Sequence, residues 1–314
     1  MAIPRDAAQR IEEFALAEIA GPFVKRLEAD PPPPLIYHYT NKNGLAGILG
    51  SGCLWLSDVF CQNDPSELRH GVEHAAELIR MLARRFPDDR ALNLFADKFA
   101  KSLAGSIEGS AQYYICCFST QGNRLDQWRA YADNGRGFAL GFDTASLEKE
   151  FAKQAPGRMT FPVSYNDKML RQLQEEIFET AIPLVSFPKG KDWPGAVSGE
   201  YLGRLAVEMA IKILHVATYF KHEGWREERE YRFLEIVRRN FELDQLKTRR
   251  RGDMEVRYRE FDWKAVAINS LKEIVIGPGM PGKEGHDHAV EYLNAMGIPP
   301  ELVKIYASGI PYRP

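Results

Sequence analysis

Two short segments carry side chains whose types and spacing suit chemistry on a polar ligand. The first is LIYHYT, Leu35 to Thr40, an apolar-aromatic strand pattern with His38 between Tyr37 and Tyr39 and a hydroxyl at its end. An imidazole at the end of such a strand poses a choice between a ligand-facing group and a packed one. A half-buried histidine satisfied by a backbone carbonyl is the structural alternative. The second segment is EREYRF, Glu228 to Phe233. Side chains alternate along a strand, which puts Glu228, Glu230 and Arg232 on one face and Tyr231 and Phe233 on the other. Crowded acids at the start of a central strand repel unless something offsets them. A Glu230–Arg232 ion pair would do so. A ligand presenting hydroxyls or developing positive charge to Glu230 is the other use.

Other motifs carry competing readings. In CCFSTQGNRLDQWRAYADNG, Ser119 ends a strand where side chains reach a cleft, and Trp128 and Tyr131 share a helix face. Packing is the default for that aromatic pair. HGVEH, His70 to His74, fits the H-x-x-E-H pattern of a zinc hydrolase, with Glu73 as base. Exposed histidines on a solvated face are the alternative, and Gly71 weakens the helix there. NDPSE, Asn63 to Glu67, reads as a helix start, with Asp64 as N-cap, Pro65 as first helical residue and Glu67 completing a capping box. Asn63 has no such job and stays a candidate for phosphate binding at that helix N-terminus. IVIGPGMPG contains G-x-G-x-x-G at Gly277, Gly279 and Gly282. Pro278 and Pro281 remove the amide donors a pyrophosphate needs, and no acidic residue ends the next strand. A Gly/Pro turn is the better account.

The elements that must position these groups follow from hydrophobic periodicity. Strands are expected at 35–39, 53–57, 112–118, 137–142, 159–165, 229–237, 254–259, 263–268, 272–276 and 302–307. Helices are expected at 42–50, 66–85, 90–105, 124–132, 144–153, 167–181, 197–220 and 284–296. That order gives an α+β fold with a mixed sheet rather than a βαβ repeat. Residues 6–28 have an amphipathic helical pattern that Gly21-Pro22 breaks or kinks, and PPPP at 31–34 forces an extended linker. The division expected is a helical extension over 1–30, the proline linker, and a single α+β domain over 35–314. The extension packs on its own chain or on a second copy.

The 314 residues suffice to bury a sizeable core, and 45% hydrophobic with 27% charged residues is ordinary for a folded soluble chain. A net charge of -2 gives no global field toward nucleic acid or membrane. KTRRR, Lys247 to Arg251, is the local exception and reads as a solvated loop, with a phosphate-binding patch as the alternative. Four cysteines (Cys53, Cys61, Cys116 and Cys117) form no disulfide framework, which fits reduced thiols and a cytoplasmic location. Acids interrupt the N-terminal apolar positions, and no apolar run is long enough to span a bilayer.

The ordered set of motifs resembles a bacterial family known as domain of unknown function 2971. It comprises the His-Tyr-Thr strand, LAGIL, Gly52 with Leu54, NDP-x-E, CFS, W-x-x-Y-A, E-x-E-Y-R and a final S-x-I-P-Y-R. The opening is also similar to ADP-ribosyltransferase-fold proteins of the DarT kind. That likeness implies a mostly antiparallel sheet flanked by helices and an NAD-consuming activity. The reaction would be transfer to nucleic acid or protein, or glycohydrolysis, in a toxin or phage-defence role. NAD would be co-substrate, and no metal would be needed. His38 would bind the adenosine-side ribose with help from Tyr39 and Thr40. Tyr131, Trp128 or Ser119 would supply the middle motif. Glu230, beside Arg232, would hold the other ribose and steady its cation, and Glu228 would orient the acceptor. The competing expectation is a non-catalytic nucleotide- or partner-binding module on the same scaffold.

Overall fold

Periodicity translates into elements with few exceptions in the computed structural model, which describes residues 3–17, 31–61, 67–108, 111–189, 193–238 and 246–313. In chain order these are α1 (Arg5–Leu16), β1 (Leu35–Thr40), α2 (Lys42–Ser51), β2 (Cys53–Asp58), α3 (Glu67–Arg85), α4 (Arg90–Glu108), β3 (Ala111–Ser119) and α5 (Leu125–Tyr131). There follow β4 (Phe138–Asp143), α6 (Thr144–Gln154), β5 (Arg158–Pro162), α7 (Asp167–Ser186), α8 (Gly195–Ala217), β6 (Glu230–Arg238), β7 (Lys247–Arg251) and β8 (Met254–Asp262). The last are β9 (Leu271–Ile276), α9 (Gly282–Met296) and β10 (Lys304–Ala307). No helix among the described residues is long and apolar enough to cross a membrane. The four cysteines are free. The chain divides into two compact units that interleave in sequence.

The first unit gathers α1, α3, α4, α7 and α8. Each helix buries one stripe. In α1 the stripe is Ala7, Ile11 and Phe14, and Lys212 of α8 donates to the carbonyls of Ala15 and Ala17 at its C-terminal end. Those carbonyls have no partner within the helix, so an ammonium there both bonds them and complements the dipole. The expected helix over 6–28 is seen as Arg5–Leu16; residues 18–30 lie outside the described residues. Phe95, Phe99 and Phe178 stack where α4 meets α7. Gly71 is needed for close helix approach, since a Cβ there would lie 2.7 Å from the Cβ of Ala217.

In the second unit the strand order is β10-β9-β4-β1-β3-β2-β8-β7, with β6 pairing β3 and β5. Every pairing with a described register is antiparallel except β10 with β9. This is the α+β, mostly antiparallel arrangement expected. One face of the sheet packs Ile36, Leu56, Phe118, Leu140, Phe233 and Phe261 against apolar residues of α2, α6 and α9. The other carries a smaller cluster around Tyr39, Trp128, Ala139 and Val275.

Three expectations are corrected. Residues 263–268 are not a strand: β8 runs to Asp262, whose carboxylate accepts from the Lys264 amide and starts a 3-10 turn and then a helical turn at Ala267–Ser270. KTRRR is not a loop but the strand β7, paired along its length with β8. Residues 163–165 fall outside β5, which ends at Pro162. The glycine motif is a turn, as expected. The amide of Gly277 donates to the Gly137 carbonyl at 2.9 Å and that of Gly279 to Gly135 at 2.8 Å, so neither faces a ligand.

Two predictions follow from this packing. A Cβ at Gly277 would stand 2.3 Å from the carbonyl oxygen of Gly135, which is backbone and cannot swing away. Gly277→Ala should therefore cost about 1–3 kcal/mol in urea unfolding. In the first unit, burial and the Lys212 charge push the pKa of His215 down to about 4. The unfolded chain then takes up a proton near pH 6.5 that the folded chain refuses. Stability should fall as pH drops from about 6.5 to about 4, and His215→Phe should flatten that slope in unfolding titrations.

Candidate functional site

Alternation along β1 sorts the predicted site residues onto two faces. Ile36, His38 and Thr40 point one way, with Ile36 in the large core. Tyr37 and Tyr39 point the other way, toward Trp128 and Tyr131. The imidazole and the mid-chain aromatics are therefore not on a common face.

His38 sits where β1 and β3 part. The two strands share a single described pair, Tyr37 with Ser119. The Nδ1–H of His38 donates to the carbonyl of Cys117 at 3.0 Å, doing what a strand amide would do in a continued ladder. Its ring packs edge-on against Phe118, 5.6 Å between centroids. Burial pushes its pKa below the usual histidine range, partly offset by that hydrogen bond. The neutral ring with Nδ1 protonated leaves Nε2 as an acceptor, and among the described residues nothing hydrogen-bonds to it. Thr40, on the same face, lies over the start of α2. Asn41 caps that helix, its Oδ1 accepting from the Gly44 amide at 2.8 Å. A Cβ at Gly44 would fall 1.9 Å from the Thr40 hydroxyl, so only glycine leaves the hydroxyl its place.

The second group gathers at the end of β3. Tyr39 donates to the Gln121 carbonyl at 2.8 Å and accepts from the Arg124 amide at 3.1 Å, fixing the loop before α5. Trp128 packs edge-on to Tyr39 at 4.8 Å and donates from Nε1 to Asn123 Oδ1 at 2.9 Å. It is fully buried and offers no face to a ligand. Ser119 donates to the Glu228 carbonyl at 2.8 Å, and Tyr131 donates to Glu228 Oε1 at 2.6 Å. The serine, the tyrosine and the acid, far apart in sequence, meet here.

Glu228 does not share a strand face with Glu230, as period two had suggested. It ends a 3-10 turn, and Arg229 intervenes with φ 45°, in the left-handed region. β6 begins only at Glu230. Both oxygens of Glu230 receive hydrogen bonds from Arg232, from Nε at 2.6 Å and from Nη2 at 3.1 Å. The acid is 4% exposed and the arginine 1%. Burial pulls the Arg232 pKa down. The ion pair weighed from sequence is thus present, and it is buried.

Sequence reading missed Asn123, which also accepts from Ser308 at 2.6 Å, and Glu273, on which the Tyr37 and Tyr306 hydroxyls converge. Neither belongs to a spaced motif that could have drawn notice. Asn63 and the side chain of His70 lie outside the described residues. Glu73 is exposed. Among the described residues no three His, Cys, Asp or Glu side chains are grouped to hold a metal ion.

Residues 127–233 match a family described as "Protein of unknown function (DUF2971)". The matched segment runs from the helix of Trp128 and Tyr131 to the strand of Glu230 and Arg232, and leaves His38 outside it. Comparison with curated proteins and with solved structures returned no match.

Removing one partner of a buried pair strands the other charge, which costs about 3–5 kcal/mol. Glu230→Gln should lower stability by that order in urea unfolding. A double-mutant cycle with Arg232→Met should show strong coupling; additive effects would mean the two side chains act independently.

Proposed function

We propose that the second unit binds an adenosine nucleotide through His38 and Thr40 without cleaving it. The observation that carries this reading is the contrast between Glu230 and the imidazole. His38 keeps an acceptor lone pair without a hydrogen-bonding partner among the described residues, while Glu230 has both oxygens committed to Arg232. A ribose hydroxyl donates to Nε2, and the Thr40 hydroxyl on the same face takes a second. Grip on the sugar needs no charge. Cleavage of a glycosidic bond needs a carboxylate held beside the developing cation, and Glu230 is not offered for that.

One observation favours the catalytic reading as the second choice. Ser119, Tyr131 and Glu228 are joined by hydrogen bonds. In an NAD-consuming transferase or glycohydrolase on this scaffold, Glu228 takes the role of the acid that steadies the sugar cation. The acceptor is then nucleic acid or protein, and a toxin or phage-defence role in the cytoplasm belongs with this reading alone.

Purified protein heated with NAD, ADP-ribose or AMP separates the two. The binding reading expects each to raise the melting temperature, with no nicotinamide released. His38→Ala should weaken binding roughly three- to tenfold, as for one lost hydrogen bond. Because the folded pKa of His38 lies below 6.5, affinity should hold as pH falls through that value and drop only once the ring protonates. No melting shift with any of the three nucleotides would sink the proposal. Nicotinamide release that Glu228→Gln lowers by about a hundredfold or more would install the catalytic reading instead.

A further inference from the structure

The basic strand β7 is where the sheet carries chemistry that the nucleotide reading does not use. Register fixes what surrounds it. Lys247 stands opposite Tyr258, Arg249 opposite Val256 and Arg251 opposite Met254. Across the next ladder Ser57 faces Tyr258 and Trp55 faces Glu260. Period two therefore puts Trp55, Ser57, Tyr258, Lys247, Arg249 and Arg251 on one face. The residues between them in β2 and β8, Leu54, Leu56 and Phe261, point into the large core.

That face is built, not incidental. Trp55 is 40% exposed although it lies within a strand. Its ring packs on Tyr258 at 4.5 Å with a tilt of 34°. The Arg249 guanidinium lies 5.0 Å from the Trp55 ring centre, and its Nη2 donates to the Ser57 hydroxyl at 3.3 Å. The Arg249 Nε is buried with no hydrogen-bond partner among the described residues. Arg251 donates to the Cys61 carbonyl. Of the acids nearby, Glu260, opposite Trp55, pairs with Lys247 of β7 at 2.8 Å, Asp58 pairs with Arg257 at 2.7 Å, and Glu255, opposite Arg250, lies on the other face. On this face Arg249 has no carboxylate within ion-pair distance among the described residues, so its positive charge is uncompensated. β7 also ends the strand order, with a single described partner. Basic residues on such an edge oppose pairing with another strand.

We infer that β7, with Trp55 and Tyr258 beside it, is a binding surface for single-stranded nucleic acid. An exposed indole steadied by a tyrosine and an arginine is a stacking platform for an unpaired base. Arg249, beside that ring and without a carboxylate within ion-pair distance among the described residues, suits a phosphate next to the stacked base. A duplex hides its base faces and gains only the charge. This surface lies apart from His38 and Thr40 in residue composition and does not rest on the nucleotide reading.

The test is fluorescence anisotropy of a labelled oligothymidylate with the whole protein, without NAD, across a salt series. Binding should weaken with salt. Trp55→Ala should lower affinity about tenfold, and Trp55→Phe, which keeps a ring, should restore most of it. Arg249→Ala should reduce the salt slope by about 0.7, the single-strand value for one phosphate contact. Lys272→Ala, on an exposed position of β9, should change nothing. Absence of binding overturns the proposal. So does equal loss in the Lys272 variant, or displacement of the strand by inorganic polyphosphate with the Trp55 ring making no difference. Binding to phosphatidylserine vesicles but not to oligothymidylate would reassign the face to a membrane. Because NAD is absent throughout, failure here leaves the nucleotide proposal standing, and failure there leaves this one.

Discussion

A strand has two hydrogen-bonding edges, and β3 serves three partners. It pairs β1 near its end, β2 further back, and β6 as well. One edge must therefore be divided, and the ladder must stop somewhere along it. Where a ladder stops, a carbonyl in the interior loses its amide, and an unpaired buried carbonyl costs free energy comparable to a lost hydrogen bond. Near that point the ring of His38 donates to the carbonyl of Cys117. This single contact explains why an imidazole stands among tyrosines in an otherwise apolar strand. It also fixes the tautomer, and so decides that the far nitrogen accepts.

The same branching brings the start of β6 beside the end of β3. The Thr120 amide bonds the Arg229 carbonyl at 2.9 Å, and the Ser119 hydroxyl bonds the Glu228 carbonyl. Holding those backbones together requires Arg229 in a left-handed conformation, which is costly for a residue with a side chain. The consequence is that Glu228 and Glu230 have separate environments, one reaching Tyr131 and one closing on Arg232. Two acids that look equivalent in the sequence therefore do different work.

Much of the fold was legible before any coordinate. Alternation in LIYHYT and FALGFD, and the three-four spacing in α3, α4 and α8, mark elements to within a few residues. Local signals serve here because side-chain burial in a strand or helix depends mainly on near neighbours. They failed at KTRRR, where charge suggested solvent. Edge strands tolerate charge because one side of their backbone and one face are free of the core. They failed again at 263–268, where a buried Trp263 continues an apolar pattern that the backbone does not follow as a strand.

The candidate site was legible in part. His38, Ser119, Tyr131, Glu228, Glu230 and Arg232 were singled out by type and spacing, and most of them do bond one another. Which face each occupies was not readable, since that depends on how β1, β3 and β6 share edges across nearly two hundred residues. By itself the sequence determined the element types, the presence of an imidazole in a sheet strand and of two late acids, and the turn role of Gly277 and Gly279. Only the tertiary structure decided that Trp128 is sealed, that Glu230 is neutralised by Arg232, and that His38 and Trp128 are on different faces. The ion pair was one of two readings the local spacing allowed, and burial decided between them; the other outcomes turn on pairing between distant strands, about which chain-local pattern carries no information.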